Sequence, residues 1–592
     1  MRFVLIILLF TLTLPAPNTA TARDFALPFD DECPIELPER GPDETGWTDS
    51  ERWAWQQICV GHDAYMFAAP DGKVDGEECN PADIDADKRH SGDYDHRKLS
   101  SEFLSTILTR PQFTEVIARP KVQIRCAWID WLDLSYQEVT PSLFITRSWL
   151  PSGADLLGAR FEGALGFQTS TFEKELNADS ISVGSYLFLR GGASFKDVIL
   201  RNADINGSVI AIGSVFDGKF NMNSSTIGDS LYLNGGASFK ELDLNSAQVG
   251  GNVEAIGSKF HAPLKASNIT VGGGLLLSGG ATFTDVVLRG ATVKGIVSAN
   301  GSTFEDELNM NRITVGGSLF LRNGATFSDV NLLRAKVEGS VETNGSSFSG
   351  ELSLEAIDVG ASLFLREGAS FNDIVLLNAQ VGGSLQLGGA NFDGLLNATG
   401  INVRKDFLLT HVKRGEASWG ENARLILRNA QVGAVQAALS GWPAPKDRAL
   451  HTDLTGFHYE RLGGLHAQEM HTMEKETADA LIAWLDAATA HGGYDPGPYV
   501  QLASALEASG QAGKASAILY AKHRHRDSVV EASFTVRWLL RPAERWIIGY
   551  GVYPFRALIW FGGLVAVGII IGFASNAASL IGWRRKFWFS FE

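Results

Sequence analysis

The chain has 592 residues, 67 acidic against 51 basic side chains, and a formal charge of −16. That balance, with no basic patch interleaved with aromatics on the repeats, argues against nucleic acid as a partner. The length is ample for several packed units, and 63 glycines suit turns and strands better than long helices.

Arg2, the apolar run from Phe3 to Leu14, the helix-breaking Pro15 and Pro17, and Ala20-Thr21-Ala22 predict a secretory signal peptide over 1–22, cleaved after Ala22. The apolar run is too short to span a bilayer. Residues 23–120 are expected to form an amino-terminal cap. All four cysteines, Cys33, Cys59, Cys79 and Cys126, precede the regular repeats. In an oxidising compartment an even, clustered count predicts two disulfides, and three connectivities are open; free buried thiols are the alternative. No CxxC occurs, so neither a zinc knuckle nor a thioredoxin-type pair is supported.

From Phe172 to Phe392 a phenylalanine recurs at 172, 195, 216, 239, 260, 283, 304, 327, 348, 371 and 392, with gaps alternating 23 and 21. The underlying unit is 22 residues, as in VGSYLFLRGGASFKDVILRNAD from Val183 and VEGSVETNGSSFSGELSLEAID from Val337. Within it, apolar residues alternate with polar ones over short runs separated by Gly-Gly, Asn-Gly and Gly-Ser steps. Period-two runs between turns are strands with one face inward, and the glycine-rich units do not sustain a 3.6-residue period. A fixed period of this length marks a solenoid, so 121–460 is predicted to be a parallel β-helix with the Phe ladder inside it. None of the fourteen tryptophans falls between Trp149 and Trp419, the span of the repeats.

The segment GADLLGARFEGALGF from Gly153 resembles the A-(D/N)-L-x-x register of pentapeptide-repeat proteins. Together with LSSEFLSTIL from Leu99, YDPGPYVQLASALEASGQAGKASAILYAKHRHR from Tyr494 and GYGVYPFRALIW from Gly549, the chain is similar to bacterial membrane-anchored pentapeptide-repeat-like proteins. That resemblance implies a right-handed β-helix with four-sided coils. Proteins of the group are often named "membrane-associated oxidoreductase", although their function is uncharacterised, and the likeness carries over architecture rather than catalytic residues.

Residues 461–550 are expected to be helical. Tyr499, Leu502, Ala503, Leu506, Gly510, Ala515, Leu519 and Ala521 fit one tetratricopeptide-type hairpin, which alone makes a cap rather than a peptide groove. The basic run Lys522-His523-Arg524-His525-Arg526 then faces either lipid headgroups or solvent. Ala557 to Trp583 is uncharged, with Trp560 and Trp583 placed like an interfacial belt, so 551–583 is predicted to be a transmembrane helix. Arg584-Arg585-Lys586 follow, and 584–592 becomes a cytoplasmic tail. The expected fold class is thus mainly β, a β-helix with a disulfide-bearing cap, a helical segment and one span.

Catalytic motifs are sparse. There is no GxSxG, HExxH or Walker loop, and Gly549-Tyr550-Gly551-Val552-Tyr553-Pro554 lacks the last glycine of a dinucleotide fingerprint. No cofactor, metal or catalytic residue is predicted. Asp83, Asp85 and Asp87 alternate like calcium ligands, yet Lys88 stands where the loop requires glycine, and His466 and His471 are spaced wrongly for one helix face. One feature exceeds structural need. Positions six and eight of the odd units point outward and place Phe188 with Arg190, Tyr232 with Asn234, Leu276 with Ser278, Phe320 with Arg322, and Phe364 with Arg366 on one face. A stripe of rings on an outer face predicts a partner surface; burial under a loop, a cap or a second copy is the other account.

Two functions fit this pattern. One is a non-enzymatic scaffold tethered to the inner membrane, its bulk in the periplasm, binding a protein or glycan of the cell envelope. The other is a carbohydrate-active β-helix with the stripe as a glycan track, for which the scattered acidic positions are a poor match.

Overall fold

The computed structural model describes residues 33–37, 46–66, 79, 95–411, 415–443, 452–463, 472–489 and 494–588. The expected signal peptide at 1–22, Asp83, Asp85, Asp87, His466 and His471 lie outside the described residues.

Each regular coil contributes four short strands, as in Ser182–Val183, Leu187–Phe188, Ser194–Phe195 and Val198–Ile199. All pair in parallel with their counterparts one coil away: Val183 lies between Phe161 and Ile205, Leu187 between Leu165 and Val209. The chain is therefore a parallel β-helix of about 13 coils over 121–408, its regular coils each carrying four short strands. Pairing continues through Arg424–Ile426, Gln431–Gln436 and His458–Leu462, so the last turns close the same solenoid.

The alternating phenylalanine gaps have a local cause. Val198 pairs with Phe220 and Leu187 with Val209, both 22 residues on, whereas Phe195 pairs with Phe216, 21 residues on. Odd coils enter the Phe strand through a two-residue corner such as Gly191-Gly192, both at positive φ (78° and 77°), where a side chain would be strained. Even coils have a shorter corner and regain the residue afterwards, where the register shifts between Phe216 and Lys219. Buried serines of the even coils satisfy backbone groups of the longer corner: Ala281 N–H donates to Ser302 Oγ and Ala325 N–H to Ser346 Oγ, each at 3.1 Å. The Ser258 hydroxyl likewise donates to the Leu233 carbonyl at 2.5 Å. The 44-residue period is thus a period of corners inside a uniform 22-residue coil.

The Phe ladder is interior. All eleven rings are at most 3% exposed, and from Phe195 to Phe371 consecutive centroids lie 4.8–5.1 Å apart with interplanar angles of 11–17°. Such stacks combine full burial of each ring with an offset geometry suited to the ring quadrupole. Trp419 takes the next place, 4.7 Å from Phe392, and Trp149 pairs with Thr171 at the other end, so tryptophans bound the ladder from which they are excluded.

The cap and the helices close the two ends. The helix Asp49–Cys59 starts at Thr48, and Ser101–Thr109 starts at Ser100. The buried Glu51 carboxylate accepts from the backbone and hydroxyl of both capping residues, which joins the two helix starts in one polar cluster. Ala64–Tyr65 adds itself in parallel to Lys121–Arg125, sealing the first coil. Cys33 is bonded to Cys59 and Cys79 to Cys126, across 26 and 47 residues; in a chain-entropy account each loop is worth roughly 3–4 kcal/mol. At the far end the helices Gly497–Ala508 and Ala512–Val529 turn at Gly510 (φ 80°) and pack onto the last strand, where Gln501 Nε2 donates to the Tyr459 carbonyl. Leu502, Leu506 and Ile518 belong to the same hydrophobic core as the solenoid, so this hairpin is a cap. A final helix, Phe555–Trp588, follows; its Phe555–Ala574 part has mean hydropathy 2.4, lies outside the core, and is long and apolar enough to cross a membrane.

Candidate functional site

The outward stripe is a register-aligned row. Phe188 pairs with Ile210, Ile210 with Tyr232, Tyr232 with Glu254, Glu254 with Leu276, and the row continues through Ser298, Phe320, Glu342, Phe364 and Gln386. One side chain per coil therefore projects from one side of the solenoid, aromatic or apolar residues alternating with polar ones toward its carboxyl end. All these rings are half-buried.

Much of that partial burial comes from the residues at position eight. The Arg322 guanidinium lies 4.3 Å from the Phe320 centroid and pairs with Glu342 on the next coil at 2.5 Å. Arg366 lies 4.2 Å over Phe364 and donates to the Gln386 side chain. Asn234 donates to Glu254 at 3.3 Å, beside Tyr232. Over Phe320 and Phe364 the stripe is thus closed by cation–π lids whose charges are used within the protein.

The amino-terminal end is different. Arg190 is exposed and lies 5.0 Å over Phe188, but the next coil offers Ile210 where Arg322 meets Glu342. Two further rings gather there: Phe144, 5.9 Å from Phe188 across the intervening coil, and Tyr186, 5.8 Å away and 43% exposed. Gly166 makes this approach possible, since a Cβ at that position would meet Phe144 and Gln168 at 2.7 Å. Lys121 stands 5.6 Å over the Phe144 ring and pairs with Asp63 at 3.9 Å, and Gln168 Oε1 is buried with no hydrogen-bond partner among the described residues. Sequence reasoning missed Phe144, Tyr186, Lys121 and Gln168. Phe144 lies 44 residues before Phe188 and in register with it through Gly166, so extending the period backwards into the irregular coils would have found it.

Acidic residues that look scattered in the sequence also meet through the 22-residue wrap. Glu175 sits near Asp155 and Asp197; burial, then those two charges, push its carboxyl above the ordinary range, and Arg201 opposes them. Among the described residues no group of three His, Cys, Asp or Glu is arranged to hold a metal ion. Gly549–Gly551 forms a helical turn ahead of the apolar helix rather than a strand-to-helix crossover.

Most of the basic run is engaged by its own chain. Arg524 pairs with Asp486 at 3.4 Å, and Arg526 with Asp527 and Glu544 at 3.1 and 3.4 Å. His523 stacks on Tyr550 at 5.0 Å, and His525 on Tyr499 at 5.7 Å. Burial, with Lys522 and Arg526 nearby, holds the His523 imidazole below its usual range. Asp527 also receives Arg541 and the Tyr550 hydroxyl, tying the hairpin to the segment before the apolar helix. Comparison with protein-family models, curated proteins and solved structures returns no match.

Proposed function

We propose that this chain is a membrane-tethered binding scaffold of the bacterial cell envelope, with the β-helix in the periplasm and the Phe555–Trp588 helix in the inner membrane. In this reading the protein acts by binding a protein or glycan, not by a reaction. The observation that carries it is the open end of the stripe, where Phe144, Tyr186 and Phe188 cluster beneath Lys121 and Arg190. Stability alone does not call for exposed aromatic area here, because the same row at Phe320 and Phe364 is covered by paired arginines. An aromatic surface with cations over two of its rings suits a partner with flat or anionic groups. The likeness to pentapeptide-repeat-like membrane proteins supports the architecture in this proposal and adds no reaction to it.

The test is capture from detergent-solubilised membranes by the full chain and by a variant carrying Phe188→Ser and Arg190→Ser, with a glycan-fragment arm run in parallel. The variant is expected to keep the parent's melting temperature within a few degrees, because partly exposed positions contribute little, and to lose the discrete protein or glycan that the parent holds. Equal capture by both chains would remove the stripe from the function.

A further inference from the structure

Where the hairpin meets the apolar helix, a cavity of about 350 Å³ is lined by Tyr520, Arg545, Trp546, Arg556, Ile559 and Trp560. Its two guanidiniums differ from the other arginines of this region. Arg524, Arg526 and Arg541 are matched with Asp486, Asp527 and Glu544, which uses the nearby carboxylates. Arg545 and Arg556 have no carboxylate in the ion pairs of the described residues. Both line the cavity beside Tyr520, and Arg556 lies 5.4 Å from the Tyr520 ring and 5.0 Å from that of Tyr553. Burial raises the Tyr520 hydroxyl, but hydrogen bonds from Arg556 and Arg545 outweigh it and leave the phenol below its usual range. Two guanidiniums thus border the cavity, and its lining includes no carboxylate.

The rest of the lining fixes the depth. Trp546 and Trp560 are 65% and 50% exposed, Ile559 is 74% exposed, and the Trp560 indole donates to the Trp546 carbonyl at 2.9 Å. Trp560 near the start of the unburied apolar helix, and Trp546 on the segment Glu544–Ile548 just before it, stand where tryptophan anchors a span at the lipid headgroups. Guanidinium forks match phosphate oxygens in pairs, and two of them without a carboxylate favour a ligand with net negative charge.

We propose that this cavity binds the phosphate of an anionic phospholipid headgroup, Arg545 and Arg556 gripping the phosphodiester while Trp546, Ile559 and Trp560 receive the glycerol and upper acyl chain. The site rests on the apolar helix lying in a membrane, as in the function proposed above. It would hold the hairpin, and through it the end of the β-helix, at a set height over the bilayer.

The experiment uses the full chain in vesicles of phosphatidylcholine mixed with phosphatidylglycerol. The chain is extracted in detergent and the retained lipids are measured by mass spectrometry. The parent should enrich phosphatidylglycerol over the starting mixture, Arg545→Gln with Arg556→Gln should lower that enrichment about tenfold, and Arg545→Lys with Arg556→Lys should keep most of it. Undiminished enrichment in the Gln pair overturns the site. Equal loss in the Lys pair overturns it too, because it would mean that the fold around the cavity, and not its charge, retains the lipid. Inorganic phosphate added at matching phosphate concentration should not displace the lipid; displacement would assign the cavity to free phosphate. Alkaline carbonate extraction checks the span separately. A chain that stays in the pellet without enrichment loses only the lipid site, whereas a chain released to the supernatant loses the span and the site together.

Discussion

Glu175 shows how the coil changes the chemistry of a residue. Asp155, Glu175 and Asp197 are far apart along the chain, yet each is one coil from the next, and the wrap sets three carboxylates together with Arg201 as the counter-charge. The folded-state pKa of Glu175 lies above its unfolded value. Between the two values the native state binds more protons, so this residue's share of stability falls as pH rises through that window. Glu175→Gln is therefore expected to raise the urea midpoint at pH 7, with the gain shrinking toward about pH 4, where the parent carboxyl is itself protonated. Equal midpoints at neutral pH would mean that solvent screens the three charges from one another.

At the scale of the coil, the interior stack is the main source of cooperation between neighbours. Phe283 is fully buried, between Phe260 at 4.8 Å and Phe304 at 4.9 Å. Phe283→Ala removes a ring that both adjacent coils use, and a cost of about 3–5 kcal/mol is expected, measured by denaturant unfolding of the full chain. A variant of parent stability would contradict a tightly packed interior. This element was legible in the sequence because one aromatic per coil leaves a strict period, and inward positions such as Val183 and Leu187 repeat beside it. What depends on contacts between distant segments was not legible. Four cysteines allow three pairings, and only the folded cap chooses Cys33–Cys59 with Cys79–Cys126. Asp486 and Glu544, which pair with Arg524 and Arg526, come from other helices, so the run itself gave no sign of these contacts. Arg190, Arg322 and Arg366 look equivalent in the repeat, and the residue on the next coil decides which one is left open.

Across the whole molecule, one continuous core runs from the disulfide-bearing cap through the β-helix to the helical hairpin. The polar joint around Asp527 then leads to a single exposed apolar helix. This arrangement suits a rigid rod fixed at one end to a bilayer, with its aromatic cluster at the far end from the anchor. If the β-helix stands outside the cytoplasm, as proposed, fusions that report compartment will show it. A reporter active only outside the cytoplasm is joined after Arg526 in one strain and after Glu592 in another. Activity is expected in the first and silence in the second. The reverse pattern would place the β-helix in the cytoplasm and contradict the proposed role in the cell envelope.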